Sequence, residues 1–189
     1  MRWIAFCLFA FVSLVLDVSA GNILVLADVR PSFVAVLAVF IALFAPRLSA
    51  LWACWILGLL VDLNTWMMHG PDRAGPLLGA YALGFAFGAI LLLQLRPMLF
   101  RRRALTLAVM TFLFVAAAGL IVVAIYAAHG WYPREELHWA QLGTGRELLR
   151  RLGIAAYSAL LALLLARALV WSLPLWAFRA PSQRAAARR

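Results

Sequence analysis

The chain has 189 residues, of which 67% are apolar and 13% charged, with a formal net charge of +10 and no lysine. Its mean hydropathy is +0.97. A water-soluble domain carries about a quarter charged residues, and a surface made from this composition would be apolar over areas that water does not tolerate. The composition excludes a soluble globular protein and predicts a chain that uses lipid as its solvent. At about 20 residues per crossing it has room for roughly six helical spans and no sizeable domain outside the bilayer.

The charged residues divide the chain into apolar runs. The first extends from Trp3 to about Leu26, with Asp17 inside it. The second begins after Pro31 and ends at Ala45, short enough that it must thin the bilayer or borrow flanking residues. The third spans Leu48 to Trp66, the fourth Pro76 to Leu95, the fifth Ala104 to Ala128 and the sixth Leu148 to Leu173. Helices are expected throughout, because an open strand cannot satisfy its backbone in hydrocarbon. The expected fold is therefore all-α: one polytopic membrane bundle over residues 1–178, followed by a basic, disordered tail over 179–189. Val18-Ser19-Ala20 before Gly21 is similar to a signal-peptide cleavage site, but Asp17 suits such a site poorly, and an uncleaved first span is expected.

Arginine placement gives the orientation. With about six spans, Arg2, Arg47, Arg96, Arg101, Arg102, Arg103, Arg179, Arg184, Arg188 and Arg189 fall on one side. That side, with both termini, is predicted to be cytoplasmic by the positive-inside rule. The triplet Arg101, Arg102 and Arg103 reads as a cytoplasmic basic anchor, or as a docking surface for an acidic partner or lipid headgroup. Trp3, Trp66, Trp131, Trp139, Trp171 and Trp176 are expected in the headgroup zone. A cluster at Arg146–Arg151 runs against the charge bias and reads as the start of the last helix or an interfacial turn. Because the arginines adjoin helix ends, the high charge argues for lipid contact, not for nucleic acid.

Signals for chemistry are weak. The chain contains no Gly-x-Ser-x-Gly elbow, no phosphate-binding glycine loop and no His-Glu-x-x-His. Glu135-x-x-His138 has the spacing of half a metal site, without a second half. No catalytic, cofactor-binding or metal-binding residue is expected. Cys7 and Cys54, both within apolar runs, read as small core residues. Ionisable groups at membrane depth carry a functional expectation by default. Asp17 and Asp62 are the two here, and Asp62 reads chiefly as a structural hydrogen-bonding group at the turn by Asn64. Ala80, Gly84 and Gly88 form a ladder of small residues four apart, which permits close helix approach either within the chain or to a partner. Ala116 to Gly119 offers a possible mate.

Gly58-Leu59-Leu60-Val61-Asp62 closing one run, and Gly75-Pro76-Leu77-Leu78-Gly79-Ala80-Tyr81-Ala82-Leu83 opening the next, resemble the MreD family of rod-shape-determining membrane proteins. The stretch concerned is roughly Pro46 to Arg103, and Gly58, Asp62, Pro76 and Gly79 match the family pattern. The loop between the two motifs is bulkier and more polar than that pattern. The resemblance implies a non-enzymatic component of the bacterial inner membrane. Such a protein works with MreC-like, RodA-like and penicillin-binding membrane proteins and with the actin-like MreB, organising lateral peptidoglycan synthesis. Gly58, Asp62, Pro76 and Gly79 of this pattern, with Gly84 and Gly88 of the small-residue ladder, are the expected helix-packing or partner-interface residues, and membrane lipids the other partners. The alternative is a substrate-binding membrane component of a vitamin-type transporter, with Asp62, Asn64, Trp66, His69, Arg73 and Trp131 as its outer pocket.

Overall fold

The computed structural model describes residues 2–25, 29–65, 67–68, 74–75, 78–98, 104–129 and 144–176. Its helices are α1 (Trp3–Ile23), α2 (Phe33–Phe44), α3 (Arg47–Asn64), α4 (Ala80–Leu95), α5 (Ala104–His129), α6 (Thr144–Trp171) and the single turn α7 (Leu173–Trp176). A 3-10 turn, Arg96–Met98, extends α4. Two-residue strands, Met67–Met68 and Ala74–Gly75, pair antiparallel in the α3–α4 connection, a small exception to the all-helical expectation. Among the described residues, three helices are long and apolar enough to cross a membrane: α3, α5 and α6. The other apolar helices, α1, α2 and α4, are shorter.

Two helix starts are set by local features. The fourth helix begins at Ala80, directly after Gly79, whose left-handed φ of 110° is not helical. The sixth begins at Thr144, so that Arg146, Glu147, Arg150 and Arg151 all belong to α6, the first of the two readings the sequence allowed for this cluster.

The centre of the bundle is α2. Its 12 residues rise only about 18 Å, well short of a hydrocarbon layer about 30 Å thick. Every residue from Phe33 to Leu43 is buried, with α1, α3, α4, α5 and α6 packed around it. A helix apolar on all sides belongs in such a position. Protein, not lipid, therefore covers the apolar surface of α2.

Small residues set the remaining contacts. A Cβ on Gly84 would stand 2.9 Å from the Ala118 carbonyl oxygen, and one on Gly88 would stand 2.8 Å from the Phe114 ring. The glycine ladder of α4 thus faces α5 within this chain, and Ala118 is its mate. Gly58 is closer still: its Cβ would lie 2.5 Å from the Tyr81 carbonyl oxygen and 2.7 Å from Ala82 Cα. Gly79 is not a close-approach residue, since nothing lies within 4 Å of its Cβ direction. Its function is conformational, because an L side chain is strained at that φ.

Large apolar side chains point outward instead. Ile4, Leu8, Phe11, Leu48, Leu120 and Leu164 are exposed, as a lipid-facing surface requires. Trp176 departs from the interfacial expectation: it is fully buried, with its ring 5.0 Å from Phe9 and 5.7 Å from Phe40. The Arg2 N–H donates to the Trp176 carbonyl at 3.2 Å, joining the two ends of the described chain at one end of the bundle. Cys54 is buried and donates to the Ala38 carbonyl at 3.5 Å, whereas Cys7 is exposed and is not a core residue.

Candidate functional site

A helix leaves its first N–H groups without intrahelical partners, and in a lipid environment no water is at hand to take them. Both acidic residues at membrane depth answer this need at the start of the helix that follows. Asp62, on the last turns of α3, is 1% exposed. Its Oδ2 accepts from the Gly79 and Ala82 N–H groups, each at 3.0 Å. Its Oδ1 accepts from the Tyr81 N–H at 2.9 Å. The residue at the N-cap position of α4 is Gly79, which has no side chain to cap with. A side-chain acceptor at that position ordinarily satisfies the second and third helical N–H groups; here α3 supplies it. Asp62 is therefore a structural hydrogen-bonding group, but its target is α4 and not the turn at Asn64.

Gly58 and Asp62 lie one turn apart and so share a face of α3. The glycine removes the Cβ that would hold the α4 backbone off, and the carboxylate binds the backbone that has come close. The Gly-Leu-Leu-Val-Asp run thus has a single physical meaning, completed by Gly79 across the interface.

Asp17 repeats the device between α1 and α2. Its Oδ1 accepts from the Phe33 N–H, and its Oδ2 accepts from the Val34 N–H at 3.4 Å and the Ser32 hydroxyl at 3.3 Å. The Ser32 Oγ in turn accepts from the Ala35 N–H at 3.1 Å. The Ser32 N–H donates to Ser158 Oγ on α6 at 3.0 Å, so the start of the buried helix is held from two sides.

Between these two helix starts lies a cavity of about 390 Å³. Polar side chains at its border include Asp17, Arg30, Asn64, Thr65, Tyr81 and Arg151. Arg151, on α6, is 9% exposed. Its Nε donates to Glu147 Oε1 at 2.8 Å, and its Nη1 donates to the Tyr81 hydroxyl at 2.6 Å. The guanidinium also lies 5.3 Å from the Tyr81 ring centroid. Its aliphatic stem packs on Gly119, where an added Cβ would lie 3.3 Å from the Arg151 Cβ. Arg150 pairs with the other Glu147 oxygen at 3.4 Å. The arginine cluster that ran against the charge bias is thus partly turned into the bundle and paired. Tyr81→Phe is expected to remove an acceptor from a buried donor and to lower stability by about 1 kcal/mol. Reversible unfolding in mixed micelles measures this, and an unchanged midpoint would mean that Arg151 does not depend on the hydroxyl.

Pro76 and the triplet Arg101, Arg102 and Arg103 lie outside the described residues, as do Trp66, His69, Arg73 and Trp131 of the alternative pocket. Arg30, Tyr81 and Arg151 were not among the site residues expected from sequence. Among the described residues, no three His, Cys, Asp or Glu side chains gather as a metal-binding group.

Long apolar helices, an enclosed central helix and buried carboxylates used as caps define a helical membrane protein whose polar interior groups hold one helix to the next. The family model described as rod shape-determining protein MreD matches residues 1–134, a stretch that contains both carboxylate caps and α1 to α5. The chain belongs to the MreD family, whose role is in cell shape. No curated protein and no solved structure matches it.

Proposed function

We propose that this chain is a non-enzymatic, multi-pass component of the bacterial inner membrane that supports lateral peptidoglycan synthesis during cell elongation. In this reading α1 to α6 form roughly six passes of a single membrane domain over residues 1–178. The basic 179–189 tail, both termini and the Arg101–Arg103 anchor then lie on the cytoplasmic side, following the arginine bias. The observation that carries the reading is the family match over residues 1–134. Asp17 and Asp62 are each taken up by backbone N–H groups, the structural use of buried carboxylates that such a component needs. The proposed partners are MreC-like, RodA-like and penicillin-binding membrane proteins, together with MreB. Gly84 and Gly88 face α5, so the partner surface is sought on the exposed faces of the helices. The transporter alternative draws nothing from the family match.

The test is to tag the full chain, extract it from native membranes in mild detergent and identify what co-purifies. Recovery of an MreC-like protein with cell-wall synthases is expected. Recovery of an ATPase with a coupling subunit in their place would overturn the proposal.

A further inference from the structure

We propose that the cavity between the starts of α2 and α4 binds the phosphate headgroup of an anionic lipid, gripped by Arg30 and Arg151 above an apolar floor. Its volume, about 390 Å³, lies within the range of about 300–1,000 Å³ typical of ligand pockets.

The unused donors select an anion. Among the described residues, Asp17 is the acidic residue lining the cavity, and its two oxygens already accept from the Phe33 and Val34 N–H groups and the Ser32 hydroxyl. Two guanidinium groups from different elements also line it, and Arg151 is already paired with Glu147. Arg30 precedes α2, is exposed, and has no acidic partner among the described residues. Arg151 comes from α6, and of its five N–H donors the Nε bonds Glu147 and one Nη1 hydrogen bonds Tyr81. The other Nη hydrogens have no acceptor among the described residues. A planar fork with free donors suits phosphate oxygens, and a cation would leave those donors without acceptors.

The floor selects an amphiphile. Leu14, Ala35, Phe85, Val115 and Ala118 form the apolar part of the lining. A bare phosphate would leave these side chains uncovered, and a wholly apolar guest would strand the Arg151 donors. A phosphate joined to glycerol and the first carbons of an acyl chain satisfies both parts. The surrounding bilayer is its source.

The experiment follows thermal unfolding of the purified full chain in detergent while dihexanoyl phosphatidic acid, dihexanoyl phosphatidylcholine or inorganic phosphate is titrated in. A saturable rise in midpoint with phosphatidic acid alone is expected. Arg30→Gln and Arg151→Lys should each weaken half-saturation about tenfold or more, since hydrogen bonds to a charged group are lost. Arg151→Lys keeps the charge and removes the fork. Should it fail to fold, Arg30→Gln, an exposed side chain, carries the test by itself. The proposal is overturned by the absence of a saturable response, by an equal response to inorganic phosphate or phosphatidylcholine, or by unchanged half-saturation in Arg30→Gln. Binding of this kind is read on the isolated chain, so it can fail while the co-purification succeeds, or the reverse.

Discussion

Asp62→Ala is expected to lower the stability of the purified chain by about 3 kcal/mol, because it leaves three N–H groups at the start of α4 without an acceptor in a site closed to water. Those groups belong to Gly79, Tyr81 and Ala82, and the carboxylate that takes them is 1% exposed. Asp62→Asn separates the cap from the volume. Its amide oxygen, placed where Oδ2 stands, still accepts from Gly79 and Ala82, while its NH2 group meets the Tyr81 N–H donor to donor. An intermediate loss of about 1–2 kcal/mol is expected for it. Reversible unfolding by sodium dodecyl sulfate in mixed micelles gives both values. If Asp62→Ala stays within about 0.5 kcal/mol of the parent, which is the ordinary range for a surface change, the carboxylate is not what holds α4.

The order of effects expected between the two carboxylates follows from their surroundings. Asp17 shares the start of α2 with Ser32, whose Oγ already accepts from the Ala35 N–H, and with Ser158 on α6. At α4 the N-cap is a glycine, and no side chain of α4 caps its own start. Removing Asp62 therefore removes the side-chain cap of α4 entirely, while removing Asp17 leaves part of the cap at α2 in place.

Much of this was legible in the sequence. Apolar runs bounded by arginine and proline located the helices to within a few residues, since backbone satisfaction in lipid leaves the chain little choice of structure. The ladder Ala80, Gly84 and Gly88 announced a close helix contact. What could not be read was direction. Nothing in the order of residues says that Asp62 reaches forward to Gly79, Tyr81 and Ala82 and not to its own turn at Asn64, because that choice depends on how α3 and α4 cross. Arg151 and Tyr81, separated by 70 residues, meet only once α4, α5 and α6 are packed. An arginine near a helix start looks the same in sequence whether it turns to the headgroups or inward. Trp176 misled for the same reason. A tryptophan near the end of a span ordinarily favours the interface, but here the turn at Leu173 folds it back onto Phe9 and Phe40.

Gly58→Ala is expected to cost about 3 kcal/mol, the upper part of the range for overpacking, although it adds only one methyl group. That methyl would stand 2.5 Å from the Tyr81 carbonyl oxygen and 2.7 Å from Ala82 Cα. Both are backbone atoms, so no side chain can swing away to make room. The α3 and α4 backbones must separate, and the atoms pushed back belong to the same two residues whose N–H groups Asp62 holds. The added methyl and the lost cap therefore act on one contact, and their effects should not add. In a double-mutant cycle, Gly58→Ala combined with Asp62→Ala should cost less than the two single changes together, by at least about 1 kcal/mol, as contacting residues do. Additivity within about 0.5 kcal/mol, the behaviour of independent sites, would mean that the glycine and the carboxylate serve separate purposes. The Gly-Leu-Leu-Val-Asp run would then be two features that happen to adjoin. Coupling of the expected size would make it one device, in which a missing side chain on α3 sets the distance at which its carboxylate can begin α4.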